Sequence, residues 1–235
     1  MTRVCLHDPE VIARTLFRQP DLNLYKIGDL ADFFWPHTQW FGWQGEEGIE
    51  AVALLYCGDE LPVLLLMEDT PAAQHLLTSL APLLPGRFYA HLRPQLEQCL
   101  PFSGVGGDIY LRMVQRQVAM DFDAPLVTLQ AQRPDLTPRL LDPADAERLQ
   151  AFYGQHYPQN WFNSRMLATR SYCALETSTQ EIVAVAGVHV ISEAHGIAAL
   201  GNIAVHLAHR GQNLGYWVTA FLCQHLRQHL GIQVL

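Results

Sequence analysis

Apolar and polar positions alternate with two different periods along the chain, and each change of period marks an element. Asp8-Pro9-Glu10 reads as a helix start, a capping carboxylate followed by proline in the first turn, leading into residues 11–17. Apolar runs at 49–57 and 61–67 flank Gly58-Asp59-Glu60 and predict a hairpin of two well-buried strands. Thr70-Pro71 then caps a helix over 72–84, Pro85-Gly86 stops it, and 87–91 predicts a short strand. Gly104, Gly106 and Gly107 mark a loop ahead of a strand-like run at 109–118.

From 121 to 138 the pattern is lost. Pro125, Pro134 and Pro138 sit among mixed polar residues, which predicts a crossover or linker and places the domain boundary there, dividing an N-terminal domain at 1–130 from a C-terminal one at 137–235. Asp142-Pro143-Ala144-Asp145 is a second helix start, with acidic residues in the first turn, for a helix ending near His156. A short helix is expected at 163–168, followed by strands at 172–176, 181–191 and 196–206. Leu214, Val218, Phe221, Leu222, Leu226 and Leu230 recur at helical spacing, and 232–235 begins a new strand. The chain therefore reads as α/β with mixed α+β sheets.

Composition narrows the function classes. The 235 residues carry 15 basic and 23 acidic side chains, a formal net charge of −8, which gives no generic attraction to phosphate backbones or anionic membranes. Neither nucleic acid nor a membrane is expected as a partner. Cys5, Cys57, Cys99, Cys173 and Cys223 are odd in number and form no CxxC pair, the pattern of reduced thiols in a cytoplasmic protein. No signal-like stretch opens the sequence and no apolar run approaches the length of a membrane span. His206 with His209, and His225 with His229, have metal-ligand spacing, yet no carboxylate or cysteine completes a set and no metal is expected. The aromatic segment 33–43 suits core packing; its functional alternative puts Trp35, His37 or Trp40 on the wall of a ligand pocket.

The stretch from Gly201 to Gly215 carries the most chemistry. A strand ends, a short turn follows and an amphipathic helix begins, leaving first-turn N–H groups that carry partial positive charge, a geometry that binds phosphate. Gly211 and Gly215 keep side chains clear of an approaching pyrophosphate, and Arg210 adds a full charge. An ordinary strand-to-helix connection has the same outline, so spacing alone leaves both readings open.

This segment resembles the acetyl-CoA-binding motif of the GNAT superfamily of N-acetyltransferases, Arg/Gln-x-x-Gly-x-Gly/Ala between the fourth strand and the third helix. Arg165-Met166-Leu167-Ala168-Thr169, Ala186-Gly187-Val188-His189-Val190 and Leu200-Gly201-Asn202-Ile203 are similar to the subgroup that includes the glycine-acyltransferase-like proteins, which have an additional N-terminal domain. The likeness covers 137–235 and implies the GNAT acyl-CoA N-acyltransferase fold there. The order of elements in the divergent first half is compatible with a degenerate copy of that fold. Acetyl-CoA is the implied co-substrate. The resemblance puts its pantetheine arm on Ile203, Ala204 and Val205 and its pyrophosphate on Arg210, Gly211, Gln212, Asn213, Leu214 and Gly215. Asn213 stands where the motif has its first glycine; asparagine tolerates left-handed backbone, so the turn is expected to survive with a side chain near the phosphates.

Relatives also continue past the fifth strand into a helix and two further strands, a region that often supplies a tyrosine to protonate the leaving thiolate. The sequence stops at Leu235 where that strand begins, so it reads as a truncated acetyltransferase. The implied reaction is direct attack of a primary amine, on a small molecule or a peptide, on the thioester carbonyl. The general base is unassigned, because residues 196–200 offer none of the carboxylates that many relatives carry on this strand. His189 and Asn202 are the candidate catalytic residues, although a hydrogen-bonded place in the core or on the surface is the more ordinary reading of each. Tyr153, His156, Tyr157, Asn160 and Trp161 lie where relatives often bind the acceptor. The rival reading is an assembly or regulatory domain whose open sheet edge pairs with a partner, a second copy of the chain included.

Overall fold

The computed structural model describes residues 1–58, 60–101, 121–169 and 171–232. The strand expected at 109–118, its glycine loop and most of the strand expected at 232–235 lie outside them. The chain divides into two compact units, Met1–Met113 and Val114–Leu235.

The first unit opens with a strand that the hydropathy pattern did not predict, β1 (Thr2–Leu6). Asp8 caps α1 (Pro9–Leu16), its carboxylate accepting from the amides of Glu10 and Val11, as expected of an Asp-Pro start. Then come α2 (Pro20–Gly28), β2 (Thr38–Gln44), β3 (Ile49–Tyr56), β4 (Val63–Leu66), α3 (Pro71–Leu80) and β5 (Tyr89–Leu92). The strands lie in the order β1-β2-β3-β4-β5, antiparallel except for the parallel pair β4/β5. The aromatic segment is mostly β2, and within it Trp40 is 3% exposed, stacked on Trp35, with its indole N–H donating to Thr38. That is the packing reading of the segment. Ala51, Ala53 and Leu55 on one face of β3 pack with Leu64, Leu66 and the buried stripe Ala73, Leu76, Leu77 and Leu80 of α3. Alternate residues Val52 and Leu54 are buried on the opposite face.

A buried ion pair ties this unit together. The Lys26 ammonium, on α2, donates to both oxygens of Glu68 at 2.7 and 2.9 Å and to the Val52 carbonyl at 2.7 Å. Its side chain is 1% exposed, so the charge is compensated inside the protein and not by water.

In the second unit the stretch read as linker folds. Asp121 accepts from the amides of Asp123 and Ala124 at the start of α4 (Asp123–Gln132), and β6 (Leu136–Leu140) follows. Proline at 125 falls in the first turn, where its missing N–H costs no hydrogen bond. Pro138 sits on β6, an edge strand, where proline is tolerated. Next come α5 (Ala146–His156), α6 (Met166–Thr169), β7 (Tyr172–Thr177), β8 (Ile182–Ser192), β9 (Ile197–Val205) and α7 (Leu214–Leu230). Strands β6-β7-β8-β9 form an antiparallel sheet. Alternation along β7 splits the core. Cys173 and Leu175 join Leu129 of α4 with Trp217, Val218 and Leu222 of α7, while Tyr172 and Ala174 join Leu149, Phe152 and Tyr153 of α5. Gly231, at φ 65°, ends α7 as the usual left-handed stop. Among the described residues no helix is long and apolar enough to cross a membrane.

Arg139 on β6 clasps Asp145 and Glu176 with four hydrogen bonds of 2.7–2.9 Å, and Arg148 adds one to each carboxylate. Both carboxylates are 8% exposed. Hydrogen bonding to Arg139 holds Asp145 down to about 2 and lowers Glu176 as well.

Two outcomes follow for stability. Glu68→Ala leaves a buried ammonium without its counter-charge and is expected to cost about 3–5 kcal/mol in denaturant unfolding, with much of it recovered in Lys26→Met/Glu68→Leu. Because folding lowers the Asp145 pKa, its stabilising contribution is complete above the unfolded value of 3.8 and is lost as pH falls toward about 2. Asp145→Asn should flatten the acid limb of unfolding over that window.

Candidate functional site

The site is built on an irregularity in β9. Val185 faces Ala204 and Gly187 faces Gly201, so β9 uses three residue steps where β8 uses two. The extra residue falls at Asn202, in the left-handed region at φ 52°. Three hydrogen bonds hold it there. Its carbonyl accepts from the Tyr153 hydroxyl at 2.5 Å, its amide nitrogen donates to the Tyr172 hydroxyl at 2.9 Å, and its side-chain oxygen accepts from the Trp161 amide at 3.1 Å. Asn202 is 5% exposed, and its side chain is committed to the core. Gly187 makes this possible: a Cβ there would lie 2.1 Å from the Tyr172 ring. Burial pushes the Tyr153 hydroxyl pKa upward, so it acts as a fixed donor.

Beyond the bulge, Ile203, Ala204 and Val205 form one wall of an open cleft of about 540 Å³. His156 and Tyr157, from the end of α5, form another, and His209, Arg210, Gly211, Asn213, Leu214 and Gly215 close the end. The turn into α7 is shaped by two left-handed residues, Gly211 at φ 75° and Asn213 at φ 60°. Asn213 thus adopts the left-handed conformation that asparagine tolerates. A Cβ on Gly211 would meet nothing within 4 Å and one on Gly215 only Val205 at 3.4 Å, so the two leave room where side chains would otherwise stand. By helix geometry the amides of Leu214, Gly215 and Tyr216 lack intrahelical acceptors. Arg210 is exposed, its guanidinium bonded to the carbonyls of Val205 at 3.5 Å and His156 at 3.3 Å; both are neutral and leave its charge uncancelled. This constellation can accept an anion.

The residues expected to bind the cofactor therefore line one cleft, with one exception. Gln212 does not line the cleft: its side-chain oxygen accepts from Arg133 at 2.7 Å, and Arg133 also forms a bidentate pair with Asp135. His189 occupies a second bulge, where Val188 faces Leu200 and Val190 faces Ala199, and its ring lies over Gly201. Neither it nor Asn202 lines the cleft. The cleft's histidines carry the least legible chemistry. The rings of His156 and His206 are 4.0 Å apart, and His206 and His209 are 5.1 Å apart. His206 Nδ1 accepts from the Ala208 amide at 3.1 Å. Desolvation first, then His206 and Arg210, lower the His156 pKa below the usual histidine value. His156 lies 50 residues before His206, and no local pattern announces that the two rings touch. Among the described residues, no group of three or more His, Cys, Asp or Glu side chains is placed to hold a metal ion.

The turn that follows β4 in the first unit is chemically opposite. It reads Met67-Glu68-Asp69-Thr70-Pro71, with neither glycine nor arginine, and Glu68 is held by Lys26. The outer edge of β4 is also hydrogen-bonded to β5 from Val63 to Leu66.

Residues 135–235 match the acetyltransferase (GNAT) family. Among solved structures, a GCN5-related N-acetyltransferase-like protein from Streptococcus suis aligns with 91% of this chain and 82% of its own, at a TM-score of 0.53 and 14% identity. A GCN5-related N-acetyltransferase from Kribbella flavida aligns with 78% of this chain and 74% of its own, at 0.49 and 15%. The spermidine/spermine N-acetyltransferase of Vibrio cholerae covers 43% of this chain and 67% of its own, at 0.35 and 12%. The first is a likeness of fold. No curated protein matches the sequence.

Asn202→Ala removes two side-chain hydrogen bonds and puts alanine in the left-handed region. It is expected to destabilise the chain by about 2–4 kcal/mol in denaturant unfolding, with Asn202→Gly losing less because only the hydrogen bonds go.

Proposed function

We propose that the C-terminal unit is an acyl-CoA-dependent N-acyltransferase that moves an acetyl group to a primary amine. One observation carries this reading: the segment matching the GNAT family contains a cleft whose closed end has the left-handed turn, small residues and arginine that a pyrophosphate requires. The amides of Leu214, Gly215 and Tyr216, with Arg210, would hold the phosphates, and the wall at Ile203, Ala204 and Val205 would take the pantetheine arm.

In the reaction the neutral amine attacks the thioester carbonyl. A carbon–nitrogen bond forms, the carbon–sulfur bond breaks, the amine gives up a proton and the departing thiolate acquires one. The protein's part is to align the thioester against the strand and to present backbone N–H groups near the bulge to the developing oxyanion. The subgroup that the sequence resembles is the one that includes the glycine-acyltransferase-like proteins, with an additional N-terminal domain. In this reading residues 1–130 are a degenerate copy of the fold, supported by the run β-α-α-β-β-β-α that both units contain. The acceptor is an amine on a small molecule or peptide.

Calorimetric titration of the 235-residue chain with acetyl-CoA, beside Arg210→Ala in the same buffer, tests the proposal. Micromolar binding that weakens roughly ten- to a hundredfold in the variant is expected from loss of a charged hydrogen-bonding partner. Absence of binding at millimolar acetyl-CoA would refute it.

A further inference from the structure

We propose that His206 is a positioning residue for the turn that leads into α7: its neutral imidazole holds the shape of the turn that carries Arg210, and a proton taken up there releases it. The inference rests on the reading of this turn as a phosphate site. It assigns the shape of the turn to a side chain that lies outside the cleft lining.

His206 stands where the sheet passes the chain to the turn. Its backbone N–H donates to the Val183 carbonyl at 2.9 Å, which continues the ladder between β8 and β9 by one step. Leu207–His209 then make a single 3-10 turn that ends at Arg210. Two hydrogen bonds to His206 close that turn. Its carbonyl accepts from the His209 amide at 2.9 Å, and Nδ1 of its ring accepts from the Ala208 amide at 3.1 Å. The same ring lies 4.0 Å from the ring of His156, at the end of α5, and 5.1 Å from that of His209. Arg210 folds back across the turn to the carbonyls of Val205 and His156. Strand, turn and α5 thus meet at one side chain. Helix caps are ordinarily Asp, Asn, Ser or Thr, and an aspartate here would set a negative charge on the turn that an anion approaches. A neutral imidazole supplies the acceptor without that charge.

The cap depends on protonation because a ring nitrogen accepts only while it carries no proton. With Nδ1 accepting, the one proton of the neutral ring is on Nε2, the nitrogen 4.0 Å from Glu181. A second proton has only Nδ1 to occupy, where it would point at the Ala208 N–H. The titratable and charged groups around the ring are His156 from α5, Glu181 from the residue before β8, and His209 and Arg210 from its own turn. Glu181 is the one acid among them and stands on the Nε2 side, so it cannot replace the bond lost at Nδ1. The cap is therefore complete at high pH and lost as pH falls through the range in which histidine takes up a proton.

Two variants of the full chain separate the cap from the ring contact: His206→Asn keeps a capping acceptor without the ring, and His206→Phe keeps a ring without an acceptor. Solvent exchange of the Ala208 amide is followed by NMR at about pH 8 and about pH 5, corrected for the intrinsic effect of pH on exchange. In the natural sequence protection is expected to fall about five- to tenfold at the lower pH, the worth of an N-cap. In His206→Asn it should be equal at both values, and in His206→Phe it should be absent at both. Affinity for inorganic pyrophosphate at about pH 8 should weaken about fivefold in His206→Phe and stay within about twofold in His206→Asn, because binding is reduced by the fraction of turns out of shape. Should one variant misfold, the pH dependence of the natural sequence and the other variant decide. Protection that ignores pH in the natural sequence, a pH dependence that survives in a folded variant, binding rescued by Phe and not by Asn, or no binding of pyrophosphate would overturn the proposal. Acetyl-CoA is titrated in parallel. If it binds and the Ala208 pattern is missing, the inference fails alone; if the pattern and pyrophosphate binding are found and acetyl-CoA does not bind, the transferase reading fails alone.

Discussion

The geometry of the C-terminal unit depends on one residue held in a conformation that a regular strand forbids. Asn202 stands at φ 52° inside β9, where each neighbour needs extended backbone, and such a kink persists only if the surroundings pay for it. They do so from three directions: α5 through Tyr153, β7 through Tyr172, and the segment after α5 through Trp161. Those hydrogen bonds are buried, where an unmade partner is expensive, so the strand, the helix and the following segment share one register. The consequence reaches the cleft. A one-residue insertion shifts which side chains of β9 face each side of the sheet, and the residues after it, Ile203 to Val205, are those that line the cleft.

The two units show how the same succession of elements can be opened or closed. Each contains the run strand, two helices, three strands, helix, followed in the first by β5 and preceded in the second by α4. In the first, β4 is regular against β3 and its other edge is paired with β5 along its whole length. Its following turn carries two carboxylates, one of which is neutralised by a buried lysine. In the second, β9 is bulged and the turn carries an arginine and two left-handed residues. A carboxylate and a phosphate compete for the same kind of positive surroundings, so a buried Glu68–Lys26 pair satisfies internally what the other turn leaves for a ligand.

These differences set what could be read from the sequence. Elements with a local physical signature were legible: Asp8-Pro9 and Asp142-Pro143 cap as expected, and the apolar stripe of α7 runs over the residues whose spacing announced it. The left-handed turn at Asn213 was legible too, because asparagine's tolerance of positive φ is intrinsic. The segment 121–138 was misread because its prolines suggested a break, although a first-turn proline and an edge-strand proline cost little. β1 was missed because a five-residue edge strand with one buried side chain has almost no periodicity to detect. Gln212 fits the motif by position, but Arg133, 79 residues away, takes its side chain. The Asn202 hydrogen bonds and the His156–His206 contact span 30 to 50 residues, and such pairings exist only once the sheet has formed.

The cleft's charge follows from which titratable groups it contains and which it lacks. Its described lining has an arginine, two histidines and a tyrosine, and no carboxylate. The acidic residues that give the chain its net charge of −8 lie outside that lining: Glu181 stands 4.0 Å from His206, and Asp145 and Glu176 are locked to Arg139 and Arg148. An anion therefore meets a locally positive lining on a negative protein, and the attraction is short-ranged because salt and the net charge of −8 oppose it at a distance.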